Sequence, residues 1–158
     1  MPALRVTSFR NLNAWPDRPW MQEEMAQANP IHREGLRLAR EIGVKIMVGT
    51  DYPGSAAAWE PGESTSYEMM QMQECGMTPM ELLVAATRTN AEGYGKLNTI
   101  GTVEVGKLAD LVVLNKTPLE DISVLHEKKT IALVLRDGIV EYTDAAYAKH
   151  YRISYYAD

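Results

Sequence analysis

Hydrophobic residues at helical spacing lead into a short apolar run in the first third of the chain. Gly43 stands where a C′ glycine ends a helix, and residues 44–50 (VKIMVGT) are mostly apolar or β-branched. Asp51 follows, and Pro53-Gly54 is typical of a turn. The pattern predicts a helix over residues 31–43, a buried strand over residues 44–50 and a loop after Asp51. The apolar positions of this helix are Ile31, Leu36, Leu38, Ala39 and Ile42.

This order of elements favours an α/β layer with parallel strands. In such sheets, binding and catalytic residues collect where the strands end. We therefore expect Asp51 to lie at the carboxyl end of a parallel strand, in a concave and partly open site beside the loop at residues 52–63. Taken alone, Asp51 could equally be a residue that only hydrogen-bonds the following loop.

Two further helices are predicted before residue 98. The first begins at Ser64 or Thr65 and runs to about Cys75, with Gly76 after its end; its apolar stripe is typical of a core-facing side rather than of a cofactor site. Thr78 then caps a helix over residues 79–90 that is apolar nearly all round, which predicts burial on more than one side. A short helix over residues 91–95 follows. The stripe consists of Tyr67, Met69, Met70 and Met72.

From Thr99 onward the sequence pattern predicts mostly β structure. Alternation over residues 100–105, apolar runs over residues 109–114 and 130–135, and a hairpin at Asp137-Gly138 leading to residues 139–142 predict strands. Residues 118–124 predict one helical turn. Upstream, residues 3–7 predict a short strand, and residues 11–30 have loop composition with one helical turn near residues 22–28. The domain assignment is residues 1–98, then a β segment over 99–142, then a Tyr-rich tail over 143–158.

Length and composition exclude several classes of protein. The chain has 158 residues, whereas a complete eight-fold β/α barrel takes about 250. The net charge of −5 argues against a nucleic-acid partner. Cys75 is the single cysteine, so no internal disulfide forms. With no signal-peptide pattern and no apolar run long enough for a membrane span, the expectation is a cytoplasmic protein without a membrane partner.

Three stretches resemble the amidohydrolase superfamily of metal-dependent hydrolases. They are GTD at residues 49–51, the run EPGESTSYEMMQMQECGMTPMELLVAATRTNAEGYG, and IGTVEVGKLADLVVLNKTPLEDI with the later VLRDGIV. GKLADLVVL is similar to a signature of the imidazolonepropionase-like and dipeptidase-like branches, and the resemblance extends over residues 33–142.

The resemblance implies an α/β fold made of the last strands and helices of a (β/α)8 metal-dependent hydrolase barrel, plus part of a small β-sandwich. Asp51 then matches the aspartate that ends the last barrel strand, which binds metal and acts as general base in the family. The complete family enzyme uses zinc or another divalent metal to activate water against a C–N bond. Its expected substrate is a small amide or dipeptide.

Most metal ligands of that family have no counterpart here. The resemblance calls for a His-x-His pair, a metal-bridging lysine or carboxylate in some branches, and two more histidines. The chain has only His32, His126 and His150, none in a His-x-His arrangement, and each is predicted to be a surface or capping residue. His32 could approach Asp51, since it precedes the strand on a helix that starts at the same end of the sheet.

The prediction is therefore a C-terminal fragment of a metal-dependent amidohydrolase that is incomplete and inactive alone, with no metal bound to this chain by itself. Its expected partner is a missing N-terminal half or further copies of the chain. The alternative is a non-catalytic binding or oligomerisation module derived from the amidohydrolase C-terminus. Metal content distinguishes the two, because a catalytic piece with its partner carries tightly bound metal and a module carries none.

Overall fold

The computed structural model describes residues 19–51 and 63–148. Its helical part precedes a small sheet. The elements are α1 (Pro19–Glu41), α2 (Glu63–Glu74), α3 (Pro79–Val84), a π-helical turn (Ala85–Thr89), α4 (Asn90–Gly93), β1 (Leu111–Leu114), two 3₁₀ turns (Ile122–His126 and Lys128–Thr130), β2 (Ile131–Arg136), β3 (Ile139–Thr143) and α5 (Ala145–Ala148).

Helix α1 is much longer than the sequence pattern predicts. It begins at Pro19 and passes through Pro30, so the expectation of a loop with a single helical turn near residues 22–28 is wrong over residues 19–30. Proline suits a first helical turn, but inside a helix it removes one hydrogen bond. The predicted end is confirmed: Gly43 has φ +76°, its N–H donates to the carbonyl of Arg40, and Val44 N–H donates to the carbonyl of Ala39. These two bonds form a Schellman motif, which turns the chain back along α1.

The start of α3 follows the sequence prediction. The Thr78 hydroxyl accepts from Glu81 N–H, while the Glu81 carboxylate accepts from Thr78 N–H, which completes a capping box. Helical backbone continues from Pro79 through the π-helical turn to Gly93. The expectation that this helix is buried on more than one side is wrong, because Leu82 is fully buried while Met80 is 55% exposed.

One apolar core joins α1, α2, α3 and the first 3₁₀ turn. Met69 and Met72 lie inside it, which confirms the core-facing stripe on α2. Arg33 of α1 also bonds Gln71 and Glu74 of α2 at 2.9 and 2.6 Å. The core residues are Leu36, Val48, Met69, Met72, Cys75, Met77, Leu82, Ala85 and Ile122.

The sheet has the strand order β1-β2-β3, and both pairings are antiparallel. Asp137 and Gly138 connect β2 to β3 with φ of +51° and +78°, the conformation of a tight hairpin turn, so this prediction is confirmed. Residues 100–105 form bends and turns instead of a strand, and Val103 and Val105 are exposed. No strand in residues 19–51 and 63–148 pairs with them.

The predicted parallel strand at residues 44–50 forms no ladder with any strand in residues 19–51 and 63–148. A strand needs a neighbour at hydrogen-bonding distance, and helices flank this segment instead. Along the described helices, none is long and apolar enough to cross a membrane. The strand predicted at residues 3–7, most of the tail and His150 lie outside the described residues.

Candidate functional site

Residues 44–51, here called the Asp51 segment, run back along α1 after the Gly43 turn. Val48 is buried in the core and Ile46 packs against it, so the apolar residues of the segment serve as its anchor. Asp51 ends the segment with an exposed side chain and a φ of +45°. A left-handed backbone is uncommon for any residue but glycine, and such conformations concentrate at functional sites.

Helix α4 contacts the Asp51 segment through two polar side chains. The Asn90 side-chain oxygen accepts from Val48 N–H at 3.1 Å, and its amide nitrogen donates to the Val48 carbonyl at 3.0 Å. Glu92 pairs with Lys45 at 2.5 Å, and this ammonium group lowers the pKa of the Glu92 carboxyl. The segment is thus held to α4 along its main chain as well as through its side chains.

His32 lies beside the first half of the Asp51 segment. It lines a groove of about 470 Å³ together with Ile31, Leu36 and residues 44–47, and Asp51 is not among the lining residues. The groove therefore places His32 beside residues 44–47 of the Asp51 segment, and its approach to Asp51 stays a prediction.

His126 is half-buried rather than on the surface, and its Nδ1 lies 3.0 Å from the hydroxyl oxygen of Ser66. The Ser66 hydroxyl also lies 3.0 Å from the carbonyl of Glu63, to which it can donate. Either partner can be the donor in the Ser66–His126 contact, because that depends on the tautomer of the imidazole ring. The contact joins α2 to the first 3₁₀ turn.

The described residues do not fit a metal centre on their own. Within residues 19–51 and 63–148, no three histidine, cysteine, aspartate or glutamate side chains are placed to hold an ion. Burial raises the pKa of the Cys75 thiol, which disfavours the thiolate that a metal requires. A catalytic zinc site needs about three protein ligands, and Asp51 offers one carboxylate.

Two residues of the region were missed by the sequence pattern. Glu68 is fully buried on α2, although a charged residue among methionines suggests a solvent-facing position. Asn90 has no local signal for its contact with Val48, which is 42 positions away. Neither could be found from spacing, because both depend on which helix face meets the core.

Comparison with known proteins places the chain among amidohydrolases. The family model described as "Amidohydrolase family" matches residues 21–140. Ochratoxinase of Aspergillus niger is 33% identical over 109 residues, covering 68% of this chain and 21% of its own length. Imidazolonepropionase of Symbiobacterium thermophilum is 38% identical over 76 residues, covering 48% of this chain and 17% of its own length.

Solved structures agree with the sequence relatives. A Xaa-Pro dipeptidase with bound methionine superposes with a TM-score of 0.74 at 31% identity, covering 91% of this chain and 34% of its own. Ochratoxinase of A. niger superposes with a TM-score of 0.68 at 25% identity, covering 90% of this chain and 31% of its own. The chain spans about a fifth of the curated relatives it matches first and about a third of these solved chains. With a family match over most of its length, the chain belongs to the amidohydrolase family.

Proposed function

We propose that this chain is the C-terminal part of a metal-dependent amidohydrolase that hydrolyses C–N bonds of small amides or dipeptides. The observation that carries the proposal is Asp51, an exposed carboxylate at the end of a core-anchored segment, held in a left-handed backbone conformation. The family match over residues 21–140 and the likeness to a Xaa-Pro dipeptidase support the reaction class.

In this proposal Asp51 accepts the proton of the water that attacks the substrate carbonyl, the role of a general base. The carboxylate also supplies one metal ligand. The remaining ligands must come from polypeptide other than the described residues, since these residues do not form a metal site. Zinc or another divalent metal is the expected ion.

The same proposal assigns α1 to α4 and the Asp51 segment to the last part of a (β/α)8 barrel, with β1 to β3 as part of a small β-sandwich. Two observations support this assignment. The Asp51 segment lies between helices and has no partner strand in the described part of the chain. The superposed dipeptidase is also about three times longer than the region it shares with this chain.

The proposal is tested by a chimaera in which residues 19–148 replace the superposed third of the Xaa-Pro dipeptidase. We expect the chimaera to bind metal and to hydrolyse a Xaa-Pro dipeptide, while this chain alone shows no turnover with added Zn²⁺ or Mn²⁺. Asp51→Asn in the chimaera should lower turnover by at least about a hundredfold, because a positioned general base contributes that much.

Asp110→Asn is the matched control. Asp110 accepts a hydrogen bond from Asp137 N–H in the sheet region, and an asparagine oxygen can still accept it. The control should therefore keep its activity. A folded chimaera that binds metal but is equally active with Asp51→Asn would contradict the role of Asp51, and hydrolysis by the isolated chain would contradict its proposed incompleteness.

The second candidate is a non-catalytic binding or oligomerisation module. It is favoured by the exposed apolar side chains where α1 leads into the Asp51 segment, since Ile42 before the Gly43 turn is 78% exposed and Val44 after it is 53% exposed. Native purification followed by metal analysis separates the two candidates. Stoichiometric metal in a complex with a second polypeptide supports the hydrolase, and a metal-free homo-oligomer supports the module.

A further inference from the structure

Three neighbouring residues of the α4 helix contact the Asp51 segment. Asn90 bonds both main-chain groups of Val48, and Glu92 pairs with Lys45. Gly93 faces the Met47 side chain so closely that a Cβ on residue 93 would lie 2.4 Å from the Met47 sulfur. A single helical turn thus meets the segment at residues 45, 47 and 48.

The Asn90 side chain makes the hydrogen bonds to Val48 that a neighbouring strand makes in a sheet. In extended backbone, the N–H and C=O of one residue face the same edge, and an adjacent strand normally pairs with both. The Asn90 side chain makes both of these bonds at 3.1 and 3.0 Å. Since the Val48 side chain is buried at the same time, residue 48 is held from two directions.

The α4 helix is itself well placed to hold this position. Ala91, next to Asn90, is 3% exposed, and a Cβ on Gly101 would lie 2.4 Å from its methyl group. Such close packing leaves little room for α4 to shift. Val48 is thus held by a closely packed neighbour, and Asp51 lies three residues further along the chain.

We propose that Asn90 is a positioning residue for Asp51, which it orients through the main chain of Val48. This inference rests on the proposed function, because the orientation of Asp51 matters for catalysis only if Asp51 reacts. The contact itself is a separate physical claim about the chain as it stands, and it can be measured without metal or substrate.

The test compares Asn90→Leu, which keeps the approximate volume but forms no hydrogen bond, with the unchanged protein by NMR. Loss of the two bonds should accelerate hydrogen exchange of the Val48 amide by about tenfold or more. The carboxyl carbon signal of Asp51 should shift, while exchange of the Leu82 amide in the core stays the same. Asn98→Leu, a change at an exposed asparagine in a turn, is the control and should alter neither signal.

A purely structural role predicts a different result. Val48 and Leu82 would then exchange faster together, and the Asp51 signal would not move, which would overturn the proposal. If Asn90→Leu does not fold, Asn90→Asp provides the answer, because it keeps the acceptor for Val48 N–H but loses the donor to its carbonyl. In Asn90→Asp the Asp51 signal should shift less than in Asn90→Leu. Where Asn90→Leu cannot be measured, the Asp51 signal of Asn90→Asp should still differ measurably from that of the unchanged protein.

Different experimental outcomes contradict the positioning role of Asn90 and the catalytic role of Asp51. An unmoved Asp51 signal in both Asn90 variants overturns the positioning role, whatever the dipeptidase chimaera does. A chimaera that folds and binds metal but is inactive, together with a shifted Asp51 signal, supports the positioning role and overturns only the catalytic assignment.

Discussion

At the scale of single residues, Glu81 connects two helices through one carboxylate. It accepts the Thr78 N–H at 2.7 Å at the start of α3 and pairs with Arg40 of α1 at 3.1 Å. The Thr78 N–H and then the Arg40 guanidinium hold the pKa of the Glu81 carboxyl below its ordinary value of 4.5. The negative charge also lies in the first turn of α3, where the helix dipole favours it.

Glu81→Gln is expected to lower the free energy of unfolding at pH 7 by about 0.5–1 kcal/mol. A carboxyl with a lowered folded pKa favours the folded state above its unfolded pKa, and this contribution disappears as the pH falls through the folded value. The difference between variant and unchanged protein should therefore be present above about pH 4.5 and vanish at lower pH. Urea unfolding of both proteins at pH 7 and pH 3 measures this difference in the free energy of unfolding.

Glu23→Gln, at an exposed position on α1, is the control and should change stability little at either pH. An equal effect of Glu81→Gln at both pH values would contradict the assignment to charge.

At the scale of elements, α3 has one buried and one exposed side. Leu82 is fully buried, and Ala85, where the π-helical turn continues the helix, is 3% exposed, whereas Met80 on the opposite side is 55% exposed. The buried side joins the core that also contains Met72 of α2 and Ile122 of the first 3₁₀ turn. This side therefore carries the packing that connects the helices.

Leu82→Ala should lower the free energy of unfolding by about 2–5 kcal/mol, because it removes buried methyl groups and leaves a cavity. Met80→Ala on the same helix is the matched control, and we expect a change within about 0.5 kcal/mol for this exposed position. Denaturant unfolding of both variants is the measurement. Comparable losses would mean that the outer side of α3 is also covered in solution, as in an assembly.

At the scale of the whole molecule, part of the exposed apolar surface lies beside the Asp51 segment, at Val44, Met80 and Val84. A groove of about 350 Å³ beside it is lined by Val44, Ile46, Met77, Met80 and Val84 among others. Exposed apolar surface of this kind is typical of interaction sites. The chain also covers only 34% of the superposed dipeptidase, so in that relative other polypeptide is available to cover the equivalent face.

We expect the isolated chain to self-associate through this face at micromolar concentration, which light scattering would detect. Val44→Lys should weaken the association, since it places a charge in the groove. Val105→Lys is the control, because Val105 is fully exposed in a turn and does not line this groove. A stable monomer would count against an assembly, as would equal effects of the two substitutions.

Several features were determined by the sequence alone. The helix ends at Gly43 and Gly76, the Thr78 cap and the hairpin at Asp137-Gly138 all depend on contacts between residues a few positions apart. Such local rules act wherever the residues occur, so their pattern is sufficient. Membership of the amidohydrolase family was also predicted from motifs such as GKLADLVVL, and the family match confirms it.

Other features were decided only by the tertiary structure. Helix α1 continues through Pro30, and His126 bonds Ser66 across 60 positions. Val48 bonds the Asn90 side chain, while residues 44–50 pair with no strand in the part of the chain that the structure describes. Local propensity is a weak influence that packing can override. Each of these contacts depends on which distant surface the fold brings close, and that information is not contained in the spacing of residues along the chain.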